Sequence, residues 1–444
     1  MIHVLKEELH LHLYGCLSPK DIFELGKNRY ESRIPALEWY ANEYETHVGR
    51  RPDWRQYWQS SSGLELISKD FLATELMRFP QFQARFNLMI ALLPTIEHAG
   101  TVLNQIVPEQ LQQGVTYSEF RTFVPPMLNP SEQKTYFEML ANSTFKVNSD
   151  HKNQHTSRMI LSVSRNPQIF KQQYQVLRDL QKVSKNVAEQ ITALDFCGVE
   201  EGHPPEQLQD VFDLIHRDNA LAPEHALAIL YHVGESFDDM SVLSAMRWIY
   251  ISTQMGAHRI GHATAAGIRM GNSGRFQDGS TFYEPISEAQ KLLDFLKQTV
   301  QQTVEMRPSC SYLEKTYKKA LLRTFGKDRL VLTWNADLRH AATDLQNWTL
   351  NHLAQNKCIV ESCPTSNRII GRIEQEADLP VFQFNEKKVP LIISSDDPGI
   401  FATSLGKEES ICRNDDLISA DQMLAIAENS QQYKAGILGG RPSW

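Results

Sequence analysis

Closely paired cysteines are missing from this sequence. Its six cysteines, Cys16, Cys197, Cys310, Cys358, Cys363 and Cys412, are scattered, with no CxxC pair and no framework spacing. That excludes the usual structural zinc knots and a disulfide scaffold, and favours a reducing cytoplasm. Long apolar runs are also lacking, so no membrane span is expected. The first eight residues carry no basic stretch ahead of an apolar core, and no secretory signal is expected. Positive charge is not in excess: 45 Lys and Arg face 53 Asp and Glu, a net charge of -8, which gives no global attraction for nucleic acid. Lys315, Lys318, Lys319 and Arg323 fall at helical spacing and read as a solvated face. What remains is an ordinary globular composition, without repeats or low-complexity tracts, suited to a small-molecule substrate.

Eight short apolar runs end in polar or small residues: 8–13, 115–123, 158–164, 191–198, 227–235, 258–263, 357–364 and 389–398. Helix-like stretches such as 205–219 and 236–255 separate them, the alternation of a parallel sheet. The expected fold is an α/β class (β/α)₈ barrel, one unit over 1–444, whose active site lies at the carboxyl ends of the strands. A ninth run, 329–334, is assigned to an insertion. Two intervals are too long for simple connections. The first, 18–110, is aromatic-rich and is expected to form a helical lid over the barrel mouth. The second, 264–356, is left as lid, homo-oligomer surface or partner site.

The chemistry-bearing residues cluster at run ends. His10 and His12, two apart on a strand, point to one side while Leu11 and Leu13 point to the other. This is half a metal site or a pair of ordinary strand-end polar residues. The fifth run ends in His232-Val-Gly-Glu235, the sixth in Arg259-Ile-Gly-His262, and the eighth in Asp396-Asp397-Pro398. Three imidazoles and a carboxylate suit Zn²⁺ with a position left for water. Glu235 reads either as a proton-transfer group or as a carboxylate at a helix N-terminus. His262 reads as a residue orienting the nucleophile or as a structural histidine. Asp195, Glu119 and Arg121 read as supporting polar residues without a catalytic role.

Taken in order, Glu8-Leu-His-Leu-His-Leu-Tyr-Gly15, His232-Val-Gly-Glu235, Arg259-Ile-Gly-His262, Cys363-Pro-Thr-Ser-Asn367 and Ser395-Asp-Asp-Pro398 resemble the signature segments of the adenosine deaminase family. The resemblance spans the barrel strands and leaves the two long intervals unmatched. It implies one zinc ion held by His10, His12, His232 and Asp396, with Glu235 as acid/base partner and His262 positioning the nucleophile. It further implies that Asp397 and the backbone of Gly198 contact the purine, although a glycine there also suits a plain strand-to-loop turn. The activity implied is hydrolytic deamination of adenosine or a related aminopurine nucleoside.

Two departures stand out. Adenosine-acting relatives commonly carry an acidic residue before Gly15 that meets the ribose 5′-hydroxyl; this chain has Tyr14, which makes a 5′-modified adenosine, AMP, adenine or another amino-heterocycle a competing substrate. The spacing from His262 to Cys363 is also much longer than is usual in the family. A barrel that has lost catalysis and serves as a binding or scaffold subunit is the competing reading from another class.

Overall fold

The computed structural model describes residues 3–93, 98–271, 274–324, 328–356, 358–414 and 417–442. Eight strands form one parallel sheet: β1 (Glu7–His12), β2 (Tyr117–Phe123), β3 (Thr156–Ser162), β4 (Ile191–Phe196), β5 (Ala228–Val233), β6 (Arg259–His262), β9 (Ile359–Ser362) and β10 (Leu391–Ile393). Each pairs in parallel with its neighbour in that order. The last turns back onto the first, where Asp396 N donates to His10 O and His12 N to Asp396 O, both at 3.0 Å. All eight expected runs are present as barrel strands, within a few residues of their anticipated ends; residue 357, first of the seventh run, lies outside the described residues.

These strands are buried on both faces. Every residue of β4, β5 and β6 is buried, as expected where helices cover the outside and side chains fill the inside. Local signals start the helices. Asn129 accepts from Ser131 N and Glu132 N ahead of Pro130 and opens helix 130–150, and Asn166 before Pro167 opens helix 167–183 in the same way. Among the described residues no helix is long and apolar enough to cross a membrane.

The ninth run lies outside the barrel. Arg329–Thr333 (β8) pairs antiparallel with Thr281–Pro285 (β7) in a two-stranded ribbon. The partner strand is invisible in an apolar scan, because two aromatic residues stand there among Thr, Glu and Pro. Within the long intervals, helices 98–112 and 336–355 pack against helices 130–150 and 242–254 and complete the outer ring. The added structure is therefore narrower than the intervals themselves: helices between 19 and 92, and ribbon plus helices 286–298 and 307–321. Ala73 N donates to Ile400 O at 2.9 Å and Met77 N to Ile369 O at 3.1 Å, which lays the first addition against the loops after β9 and β10.

Candidate active site

His10 and His12 enter the barrel from β1. The register between β1 and β2 slips between Glu8 and Leu11, and the slip lets two successive residues serve the interior. Leu9 packs with Tyr117, Ile359 and Ile392 in a cluster apart from the main core, while His10 joins the other imidazoles. The ring of His10 lies 5.5 Å from that of His12, 4.8 Å from that of His232 on β5, and 4.9 Å from that of His262. Gly261 faces this cluster, and a Cβ there would stand 3.3 Å from atoms of both His10 and His232. His262 reaches the same space because its backbone turns left-handed, with φ 63°; Asp396 does likewise at φ 63°. Such conformations are costly outside glycine and concentrate at functional sites.

The imidazoles are oriented from behind. His10 Nδ1 lies 2.7 Å from Glu361 Oε2, and His232 Nδ1 lies 2.9 Å from Asp195 Oδ1. The hydrogen bond between His232 Nδ1 and Asp195 puts the proton on Nδ1 and leaves its Nε2 lone pair free, and the Glu361 carboxylate beside His10 Nδ1 favours the same tautomer there. Both Nε2 atoms and Asp396 Oδ1 are buried without a hydrogen-bond partner. Asp396 Oδ1 is 3.5 Å from His10 Nε2 and 3.4 Å from His12 Nε2. Burial first, then Arg121 and, for His10, His12 and His262, a neighbouring imidazole, holds His10, His12, His232 and His262 well below the usual histidine range, which favours their neutral forms. Neutral nitrogen donors, a carboxylate and orphaned buried lone pairs are the chemistry of a divalent metal site.

His262 is tuned differently. Asn367 accepts from Cys363 N at 3.1 Å through Oδ1, which fixes its amide, and its Nδ2 donates to His262 Nδ1 at 3.0 Å. Nδ1 is thus an acceptor, and Nε2 carries the proton toward Glu235 Oε1 at 3.6 Å and Asp396 Oδ2 at 3.9 Å.

Burial raises the proton affinity of the acids beside the cluster. Burial, reinforced by Asp396 and Glu200, pushes Glu235 well above the usual carboxylate range. Burial and Asp396 do the same to Asp397. Asp397 fits only because its neighbour is a glycine: a Cβ on Gly15 would lie 1.5 Å from Asp397 Oδ1. The main chain at Glu235 is fixed by Glu200, which accepts from Gly234 N at 2.8 Å and Glu235 N at 3.1 Å.

Sequence reading gave no role to Glu361, Glu200 or Asn367. Glu361 had a usable signal, since it sits on the strand two residues before Cys363, but its partners come from β1, β2 and β6. Asp195 does support His232, as its supporting assignment anticipated. Tyr14 and Gly198 stand apart from the imidazoles' hydrogen bonds. The Tyr14 hydroxyl lies beside those of Tyr136 and Thr122, toward β2 and helix 130–150. Gly198 follows β4 at φ 80° with nothing within 4 Å of a would-be Cβ, so its backbone conformation, rather than crowding, calls for glycine.

Comparison with known proteins bears on the fold and the family. The adenosine deaminase of Clostridium kluyveri is 24% identical over 264 residues, covering 59% of this chain and 63% of that protein. The aminodeoxyfutalosine deaminase of Streptomyces coelicolor is 37% identical over 62 residues, 14% of this chain and 16% of that protein. Among solved structures, an adenine deaminase from Arthrobacter aurescens matches with a TM-score of 0.57 at 15% identity, covering 100% of this chain and 99% of that one. An Arabidopsis N6-mAMP deaminase matches with a TM-score of 0.57 at 17% identity, covering 97% and 93%. These likenesses establish the barrel fold. The model of the adenosine deaminase family matches residues 61–347 and 339–435, and the chain belongs to that family.

Proposed function

We propose that the protein is a zinc-dependent hydrolase that removes the amino group of an aminopurine nucleoside or close analogue as ammonia. The observation that carries this reading is the convergence of unpartnered His10 Nε2, His232 Nε2 and Asp396 Oδ1 beside the buried carboxyl of Glu235, whose proton affinity burial raises. His10, His12, His232 and Asp396 would hold the ion, whose Lewis acidity makes water a nucleophile near neutral pH.

The chain's own residues do the rest. Glu235, carrying a proton, donates it to the ring nitrogen next to the carbon that bears the amino group, and that carbon becomes more electrophilic. His262 Nε2–H is a donor aimed at the same space and orients the attacking water, its ring locked by Asn367. Water adds to the carbon and returns one proton to Glu235, its second proton passes to the amino group, and the C–N bond breaks to leave ammonia and the oxo-purine. Protonated Asp397 is a donor suited to an imidazole-ring nitrogen of the purine, and the main chain at Gly198 lies at the carboxyl end of β4, on the catalytic side. The whole chain acts as one barrel unit, with the first addition as a lid over the loops it already touches.

Tyr14 bears on substrate choice. Its phenol, beside Tyr136 and Thr122, can donate a hydrogen bond but lacks a carboxylate's charge, which favours a nucleoside altered away from the base over plain adenosine. The test is ammonia release by zinc-loaded protein from adenosine, 2′-deoxyadenosine, 5′-modified adenosines, AMP, adenine and guanosine. Glu235→Gln is expected to keep its metal and lose about 100-fold or more in kcat. Silence across the panel with zinc bound would sink the deaminase reading in favour of a binding or scaffold role.

A further inference from the structure

The loop from Gly234 to Ser241 joins β5 to helix 242–254 and carries Glu235. Glu200, on the loop after β4, holds its first two amides. Its remaining anchors come largely from the structure inserted between β6 and β9. Arg275 donates to Asp238 at 2.6 Å and covers the ring of Phe237, its guanidinium carbon 4.4 Å from the ring centre; Arg372 shares the same Asp238 oxygen. Glu284, on the ribbon strand β7 and fully buried, accepts from Ser241 N at 3.0 Å and Ser244 Oγ at 2.8 Å. Ser241 is the N-cap of helix 242–254, and Tyr317 of helix 307–321 donates to its hydroxyl at 3.2 Å.

The same insertion also reaches the segment after His262. Gln346, on the helix that returns from the insertion to the barrel, donates to Ala265 O at 3.2 Å and Ile268 O at 2.7 Å. Ala265 N in turn donates to Gly234 O at 2.9 Å. The two segments that bear Glu235 and His262 are therefore tied to each other and to one external scaffold. A surface appendage serving only as an oligomer contact has no need of a buried carboxylate aimed at an active-site loop.

We propose that the inserted ribbon and helices are a brace that sets the working position of Glu235 and His262, with Arg275, Glu284 and Gln346 as positioning residues. None of the three touches the reacting atoms; they act through Asp238, Ser241 and Ala265. The inference rests on Glu235 being the proton donor, and its test has one readout that does not depend on turnover.

Zinc-loaded wild type, Arg275→Gln, Arg275→Lys and Glu284→Gln are compared by steady-state kinetics on the best substrate of the panel, by metal content and by amide hydrogen exchange. Arg275→Gln and Glu284→Gln are expected to lower kcat about tenfold or more, the scale of a displaced catalytic group, with KM changed less than about twofold and metal content unchanged. Exchange should rise over 234–241 and 263–268 while the barrel strands stay protected, and Arg275→Lys should recover most of the loss. Unchanged kcat and unchanged exchange in both Gln variants would overturn the brace. Should Glu284→Gln fail to fold, the partly exposed Arg275 decides alone. Should wild type release ammonia from nothing, the deaminase reading fails, while faster exchange at 234–241 in Arg275→Gln still supports the brace and unchanged exchange still overturns it.

Discussion

Midway up the barrel, Glu361 lies between Arg121 and Arg259, at 2.5 and 2.6 Å, and Glu119 meets Arg259 at 2.6 Å, all fully buried. Toward the catalytic end, Glu235, Asp397 and Glu408 are also buried, yet none has a guanidinium partner within ion-pair distance among the described residues. The protonation states diverge accordingly. Burial alone would push Glu361 up, but Arg121 and Arg259 hold it below its usual value. Burial wins at Glu408, pushed up to about 7, because only Thr365 and Thr403 donate to it. The same side chain in the same degree of burial is thus a fixed anion in one layer and a proton carrier in the next. The paired layer places Glu361 behind His10; the unpaired layer raises the proton affinity of its carboxyls.

The comparison can be broken at the paired layer first. Glu119→Gln strands Arg259 with a single carboxylate and weakens the bonds to Tyr117 and Ala435 N. Removing one partner of a buried pair is expected to cost about 3–5 kcal/mol, read as a fall in urea unfolding free energy with zinc content preserved. A loss within error would mean that this layer is not held by its charges.

A smaller effect is expected from the unpaired layer on changing pH. Glu408 titrates at about 7 when folded and near 4.5 when unfolded, so between those values the folded state holds a proton that the unfolded state has released. Stability therefore falls as pH rises through this window and levels off above it, by roughly 3 kcal/mol in total. Glu408→Gln should flatten that slope in unfolding experiments from pH 4 to pH 8; an unaltered slope would show that folding leaves the Glu408 pKa where it is in the unfolded chain.

The smallest effect sharpens the link between layers. Asp195→Asn exchanges the acceptor behind His232 for an amide and is expected to weaken zinc binding about 10–100-fold in a chelator competition, with little change in unfolding free energy. Equal affinity would assign the orientation of His232 to packing instead of to its carboxylate.

Much of this was legible in one dimension. The eight strands declared themselves as apolar runs because both faces of a covered parallel sheet must be apolar, and His10 and His12 share a side because a strand repeats every two residues. The ribbon strand Thr281–Pro285 did not, because its stability lies in pairing with a strand far along the chain. The expected insertion 264–356 proved to include a helix of the outer ring for a similar reason: a helix that covers the barrel and one that decorates it carry the same periodicity.

What the sequence determined by itself is therefore the inventory: which side chains stand at strand ends, in what order, and which fold could gather them. Their chemical states belong to the tertiary structure. Glu361 behind His10, Asn367 behind His262, Glu200 beneath Glu235 and Gly15 against Asp397 join segments remote in sequence, and the left-handed turns at His262 and Asp396 are held by the closed barrel around them. Protonation and tautomer depend on burial and on the nearest opposite charge, and neither exists until the chain has closed on itself.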